Sequence, residues 1–244
     1  MISPVALIAQ SFADYKTEAP VLIGYSAWLL VPFAAFVLIS LLPLTPVVQV
    51  IAFLLILCEL FLVIWVTIVL MFYAYAHAHG HEKNMGAFSA KTRTLMVPIL
   101  TVTLLQLLIY MGGMILLLVP MFIFIVWFSL AWFAVLFEGR RGLEALAASR
   151  ALTRGRFWNS AALLWGGPLL LFLLYSVVLS LIVSLIGAAQ GLDPVTLMSG
   201  EIPLWIEILD AMAQVLLLPL FAIYPTRVYI ALTSTVSPPS SRAN

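Results

Sequence analysis

The chain has 244 residues, of which 64% are hydrophobic and only 9% are charged, and its mean hydropathy is +1.18. Soluble domains are only about half apolar, so this composition excludes an ordinary soluble protein and predicts lipid as the main solvent of the chain. The net charge of +1 gives no general attraction to nucleic acid, and we expect no nucleic-acid partner. The polar segments are too short to bury a soluble catalytic core.

The apolar runs predict an all-α membrane bundle with six transmembrane helices. Ser3 and Pro4 start an amphipathic elbow helix over residues 3–16, because a capping hydroxyl precedes a proline in the first turn. Prolines and charged segments then divide the chain into spans. We predict spans over about residues 20–42, 47–78, 95–119, 120–137, 157–187 and 203–232, in one membrane domain over 1–234 that precedes a disordered tail over 235–244.

The positions of the basic residues predict the orientation. If the N-terminus is cytoplasmic, all 11 lysines and arginines lie on the cytoplasmic side, and the outer turns, of which 190–200 is the longest, contain none. Cytoplasmic loops of membrane proteins carry an excess of Lys and Arg. The sequence therefore predicts a multi-pass protein of the cell membrane, of the bacterial inner-membrane type, with both termini in the cytoplasm.

A short internal repeat favours the same layout. The repeat aligns Ala9, Ser11, Ala13 and Lys16 with Ala147, Ser149, Ala151 and Arg154, and its first two positions also fit Ala87 and Ser89. Each matched stretch precedes a predicted hairpin. This pattern suggests, as a hypothesis, three cytoplasmic elbow helices that are each followed by two spans and are related by an axis along the membrane normal.

Acidic residues inside the predicted spans are candidates for an intramembrane polar site. Glu59 lies well inside the second span, where a charge costs roughly 3 kcal/mol or more. It indicates either an ion, proton or substrate site or a protonated acid bonded across helices, for which the available partners are Gln106, Ser129, Tyr175 and Ser176. Glu207, Asp210 and Gln214 share one face near the outer end of the sixth span. They predict either a cation-binding mouth with Glu59 or acids that water solvates at the headgroup level.

The three histidines of the chain, His77, His79 and His81, are clustered near the end of the second span. Three imidazoles are able to hold zinc or another transition metal. Alternate spacing suits a strand, however, and on a helix only His77 and His81 would share a face. The cluster is therefore a less favoured metal candidate, and we expect no cofactor.

A basic segment follows the predicted fourth span. Arg150 and Arg154 are one helical turn apart, and Trp158 lies close to them. The segment predicts a topology determinant that contacts anionic lipid headgroups, with Glu138 paired to one of the arginines as a structural elbow. The cationic members of this candidate site are Arg140, Arg141, Arg150, Arg154 and Arg156.

The residues from Pro120 to Trp158 carry a family resemblance. Trp132, the run Phe137-Glu138-Gly139, and the run Gly155-Arg156-Phe157-Trp158 resemble a pattern in prokaryotic six-helix membrane proteins. That family includes the YciC-like proteins and the membrane domain of glycerophosphodiester phosphodiesterases. The resemblance implies a six-helix membrane domain without the phosphodiesterase barrel, and it implies no catalytic residue.

The sequence contains no motif that predicts an enzyme. We find no Ser/His pair, no His-Glu-x-x-His sequence and no glycine-rich phosphate loop. The expected function is therefore a non-enzymatic membrane scaffold or accessory domain that acts through membrane lipids or a protein partner at the cytoplasmic face. The alternative is a small transporter or lipid-handling protein that uses Glu59 and the outer carboxylates.

Overall fold

The computed structural model describes residues 3–116, 118–191 and 203–235, and every regular element in these ranges is a helix. The α-helices are α1 Pro4–Ser26, α2 Leu30–Ser40, α3 Pro46–Ala78, α4 Met85–Leu116, α5 Leu118–Phe128, α6 Ala131–Glu138, α7 Gly142–Thr153, α8 Phe157–Ala189 and α9 Leu204–Ser234. A 3-10 turn over Ala27–Leu29 joins α1 to α2. The predicted tail beyond residue 235 and residues 192–200 of the predicted outer loop lie outside the described residues.

Six helical segments in these ranges are long and apolar enough to cross a membrane, and they confirm the prediction of an all-α protein with six such helices. The segments are Pro4–Ser40, Pro46–Ala78, Met85–Ile115, Val119–Glu138, Phe157–Ala189 and Leu204–Ser234. The fourth is made of α5 and α6, with a break at residues 129–130 that hydropathy did not reveal. The architecture is thus a multi-pass membrane protein by length and composition.

The predicted elbow over residues 3–16 is not a separate helix, because α1 continues through it into the first apolar segment. The Ser3 hydroxyl caps α1 by accepting the Ala6 N–H at 3.1 Å. Pro20 lies inside α1, as prolines do in membrane helices when neighbouring groups satisfy the freed carbonyl. Similarly, α4 begins at Met85 instead of near residue 95. Among the helices in the described ranges, only α7 stands alone between two spanning segments.

The hairpin between α4 and α5 is closely packed at Gly113. A Cβ atom on this glycine would lie 2.9 Å from the Cα of Met121 and 3.0 Å from the ring of Phe124. Small residues allow membrane helices to approach until their backbones are nearly in contact. Gly113 therefore sets the separation of the two helices.

The turn from α6 to α7 depends on one left-handed glycine. Gly139 has a φ of 69°, and the next residue, Arg140, donates its N–H to the Ala134 carbonyl at 3.1 Å. This arrangement ends α6 and satisfies one of its last carbonyls. Arg141 then precedes α7 in an extended conformation.

The chain forms two compact units, and the described parts of each have a different character. The first comprises Met1–Asp14, Ile68–Pro168 and Ala222–Asn244, and the second comprises Tyr15–Thr67 and Leu169–Phe221. The first unit contains a dense core in which Ile99, Leu130 and Tyr224 are fully buried. In the second unit, most large apolar side chains are exposed, as expected for helix faces that contact lipid tails.

Candidate functional site

Glu59 lies in α3, within the second unit, and its side chain is half-buried. Among the described residues, no hydrogen bond or ion pair engages its carboxyl group. Three of the four partners that the sequence suggested are bonded elsewhere: Tyr175 donates its hydroxyl to Asp210, while Gln106 and Ser129 donate to main-chain carbonyls. In the described part of the chain, Glu59 is therefore an isolated acid on an apolar helix.

Asp210 is the centre of a small polar cluster in the second unit. Its carboxylate accepts hydrogen bonds from the Tyr175 hydroxyl and, at 2.7 Å, from the Gln214 amide. Glu207 lies one turn away on α9 and is exposed. Within the described residues, no hydrogen bond or ion pair joins Glu59 to this cluster, and the cation-binding mouth stays a prediction.

The histidine cluster is engaged in contacts within the protein. The Nε2 atom of His77 lies 3.5 Å from a carboxylate oxygen of Asp14, and its Nδ1 lies 3.4 Å from Lys83 Nζ. The Nδ1 atom of His79 lies 2.9 Å from the Tyr75 carbonyl oxygen. No group of three His, Cys, Asp or Glu side chains in the described ranges is arranged to hold a metal ion. The metal site that the sequence offered at the three histidines, His81 included, stays a prediction.

An ion pair that the sequence did not reveal joins the two ends of the chain. The Nη2 and Nε atoms of Arg227 lie 2.6 and 2.8 Å from one carboxylate oxygen of Asp14, and both side chains are less than a quarter exposed. The two residues are 213 positions apart. Because no local spacing relates them, sequence periodicity had no means to predict the pair.

Glu138, at the end of α6, is held by two partners. The Tyr229 hydroxyl of α9 donates to one carboxylate oxygen at 2.6 Å, and the Nε atom of Arg140 lies 3.4 Å from the other. The pairing of Glu138 with an arginine agrees with the sequence, whereas the tyrosine was not anticipated. Arg141 is exposed at the start of α7.

The break between α5 and α6 frees main-chain groups that two polar side chains satisfy. Gln106 of α4 donates its amide to the Phe128 carbonyl at 2.6 Å. Ser149 of α7 donates its hydroxyl to the Trp127 carbonyl at 2.7 Å and accepts the Leu130 N–H at 3.1 Å. Buried main-chain groups without partners cost free energy, so these contacts fix α7 against the break.

Arg150 of α7 and Arg154, the residue that follows α7, face outward from this anchored helix. The Arg150 guanidinium lies 4.3 Å from the centroid of the Trp127 ring, in a cation–π contact. Arg154, one turn further, is exposed, and within the described ranges neither of the two has a carboxylate partner. Arg156 instead donates to the Thr235 hydroxyl.

A cavity of about 970 Å³ lies beside these arginines, within the first unit. Its walls are almost entirely apolar and come from four helices. Arg150 and Arg154 are the only charged residues among those that line it. We call it the α7 groove and define it by Ile109 of α4, Phe122 and Trp127 of α5, Leu146 and Arg150 of α7, and Trp158 of α8.

Comparison of the chain with known protein families, curated protein sequences and solved structures gives no match. The resemblance to the membrane domain of glycerophosphodiester phosphodiesterases and to YciC-like proteins therefore stays a prediction.

Proposed function

We propose that the protein is a non-enzymatic membrane accessory protein that acts by binding lipid or protein partners at its cytoplasmic end. The observation that carries this proposal is the α7 groove, an apolar cavity edged by two arginines that have no carboxylate partner in the described part of the chain. Ligand sites are typically apolar cavities with a few placed polar groups. The 11 basic residues support a cytoplasmic position for the groove and for both termini.

Several acidic residues are bonded to side chains of the protein itself, and this favours a binding function over a catalytic one. Asp14 is paired with Arg227, Glu138 accepts the Tyr229 hydroxyl, and Asp210 accepts two side-chain hydrogen bonds. A catalytic acid or base needs a position within reach of a substrate proton. These carboxylates are bonded to neighbouring side chains of the protein itself, which suits a structural role.

The repeated layout of elbow helix and hairpin belongs to the same proposal. The aligned residues Ser11 and Ser149 are both buried, and each donates its hydroxyl to a main-chain carbonyl. The burial of both serines supports the alignment of the first and third copies, although the Leu7 acceptor of Ser11 lies in the same helix and the Trp127 acceptor of Ser149 lies in another. An experimental structure tests the repeat: hairpins that superpose support it, and hairpins that do not superpose contradict it.

Mild extraction followed by native mass spectrometry tests the proposed function. We expect the protein to retain a lipid or a protein partner at fixed stoichiometry, because the groove would otherwise expose apolar surface. Bare protein under conditions that preserve known membrane complexes would contradict the proposal. Turnover of a soluble substrate by the purified protein would contradict it as well.

A small transporter or lipid-handling protein is the second candidate, and the isolated carboxyl group of Glu59 favours it. Acids in spanning helices commonly face a water-filled pathway. If Glu59 is used in this way, Glu59→Gln should abolish solute or lipid movement in reconstituted vesicles while leaving the yield of folded protein unchanged. Movement that is equal in the wild type and the variant would exclude a role for Glu59.

A further inference from the structure

The α7 groove has the features of a site for one specific class of lipid. We propose that it binds a single anionic glycerophospholipid, with an acyl chain along the apolar walls and the phosphate on Arg150 and Arg154. This inference rests on the proposed function, since it names the partner of the same site.

The size and lining of the groove fit an acyl chain. Its volume of about 970 Å³ is at the upper end of the range of roughly 300–1,000 Å³ for ligand sites. Ile109, Phe122 and Leu146 offer hydrocarbon and aromatic surface on three different helices. A flexible hydrocarbon chain gains free energy along such a surface and requires no hydrogen-bonding partner there.

The arrangement of the arginines fits a phosphate group. Arg150 and Arg154 carry like charges one helical turn apart, and an anion that lies between them would relieve their repulsion. The Trp127 ring covers one face of the Arg150 guanidinium. The N–H groups at the edge of the guanidinium stay available, and these are the groups that bind phosphate oxygens in pairs.

The mouth of the groove fits the boundary between headgroups and acyl chains. Trp158 is 78% exposed and Leu143 is 71% exposed, although both are large apolar residues. Tryptophan is enriched at this depth of the membrane, because its ring is apolar and its N–H is polar. The groove would thus open where a phospholipid phosphate lies, and Ser149 holds the arginine-bearing helix in place from behind.

Anionic and zwitterionic lipids with identical acyl chains test the proposal. The full-length protein in mild detergent is titrated with phosphatidylglycerol or phosphatidylcholine, and bound lipid is counted by native mass spectrometry. We expect one tightly bound phosphatidylglycerol and at least about tenfold weaker phosphatidylcholine binding. The choline cation offsets the charge of the phosphate and is repelled by the two arginines, although the phosphate oxygens still accept hydrogen bonds.

Substitutions distinguish the arginines that bind the phosphate from the apolar walls that bind the acyl chain. Arg154→Gln and the double substitution Arg150→Gln/Arg154→Gln should remove the preference for phosphatidylglycerol, whereas Arg93→Gln, which removes an exposed arginine outside the groove, should preserve it. Ala151→Trp places a large ring on the lining of the groove and should weaken both lipids. Arg154→Gln changes an exposed side chain, so its thermal stability should match that of the wild type.

Three results would overturn the proposal. The first is equal affinity of the wild type for the two lipids, which would leave general lipid binding, and thus the proposed function, intact. The second is an unchanged preference in Arg150→Gln/Arg154→Gln. The third is equal loss of preference in Arg93→Gln, which would indicate diffuse surface charge instead of a site.

Discussion

Several polar side chains of the first unit are bonded to residues that are distant in the sequence. The Asp14–Arg227 and Glu138–Tyr229 contacts both tie α9 to another part of that unit. Partly buried charges and carboxylates stabilise a fold only when they are paired. These contacts therefore hold α9 against α1 and α6 within the first unit.

Removal of one hydroxyl group tests the Glu138 contact. Tyr229→Phe should lower the free energy of unfolding by about 0.5–1.5 kcal/mol, because the partly exposed Glu138 carboxylate loses its shortest hydrogen bond. Thermal unfolding in detergent measures the change. Tyr15→Phe is the matched control, since the Tyr15 hydroxyl makes no hydrogen bond in the described part of the chain. Equal effects of the two substitutions on thermal unfolding would contradict a stabilising hydrogen bond between Tyr229 and Glu138.

A double-mutant cycle tests the pair that joins the chain ends. Asp14→Asn and Arg227→Gln should each destabilise the protein, and together they should be less harmful than the sum of the single effects, with a coupling of about 0.5–3 kcal/mol. Additive effects in denaturant unfolding would show that the two side chains do not interact in solution.

At the scale of helices, hydropathy and prolines were sufficient to predict six spanning segments, because length and composition determine them. The break between α5 and α6 was not predictable in this way, since residues 129–130 are part of a continuous apolar run. The elbow at 3–16 was predicted as a separate helix from its Ser3-Pro4 start and its amphipathic face, which do not mark where a helix ends, and the charged residues Lys16 and Glu18 follow. Charges do not end a helix, and α1 continues through them.

The packing of α8 against α9 depends on Gly167. A Cβ atom there would lie 1.9 Å from the Cζ of Tyr224, a fully buried residue that donates its hydroxyl to the Leu163 carbonyl at 2.6 Å. Gly167→Ala should therefore destabilise the protein by about 1–3 kcal/mol through overpacking.

The neighbouring glycine supplies the control for this prediction. A Cβ atom on Gly166 would meet its nearest atoms at 3.9 Å, an ordinary contact distance. Gly166→Ala should leave thermal unfolding nearly unchanged. Equal tolerance of both alanine substitutions would contradict the close contact between α8 and α9 at Gly167.

The candidate site shows what sequence patterns can and cannot predict. The spacing of Arg150 and Arg154 placed two cations on one face of a helix, because helical periodicity is a local property. The opposite walls of the groove, Ile109 and Phe122, come from other helices and carry no distinctive residue type. Only tertiary packing brings these apolar side chains beside the arginines.

For the whole molecule, the distribution of basic residues predicts the orientation. A reporter fused after Gly191 should be translocated, and one fused after Lys83 should stay in the cytoplasm, because the positive-inside preference acts on the short loops. Enzymatic reporters on either side of the membrane measure this directly. A cytoplasmic signal from the Gly191 fusion would contradict the proposed orientation and the position of the groove.

The central claim is that lipid binds at a defined groove and not merely around an apolar protein. Photo-crosslinking in native membranes, with phospholipids that carry a photoactivatable acyl chain, measures this most directly when adducts are mapped by mass spectrometry. The account predicts adducts concentrated on α5 and α7, with Phe122 and Leu146 among the labelled positions, and their loss in Ala151→Trp. Adducts spread evenly over the exposed faces of α3 and α8, unaffected by Ala151→Trp, would contradict it.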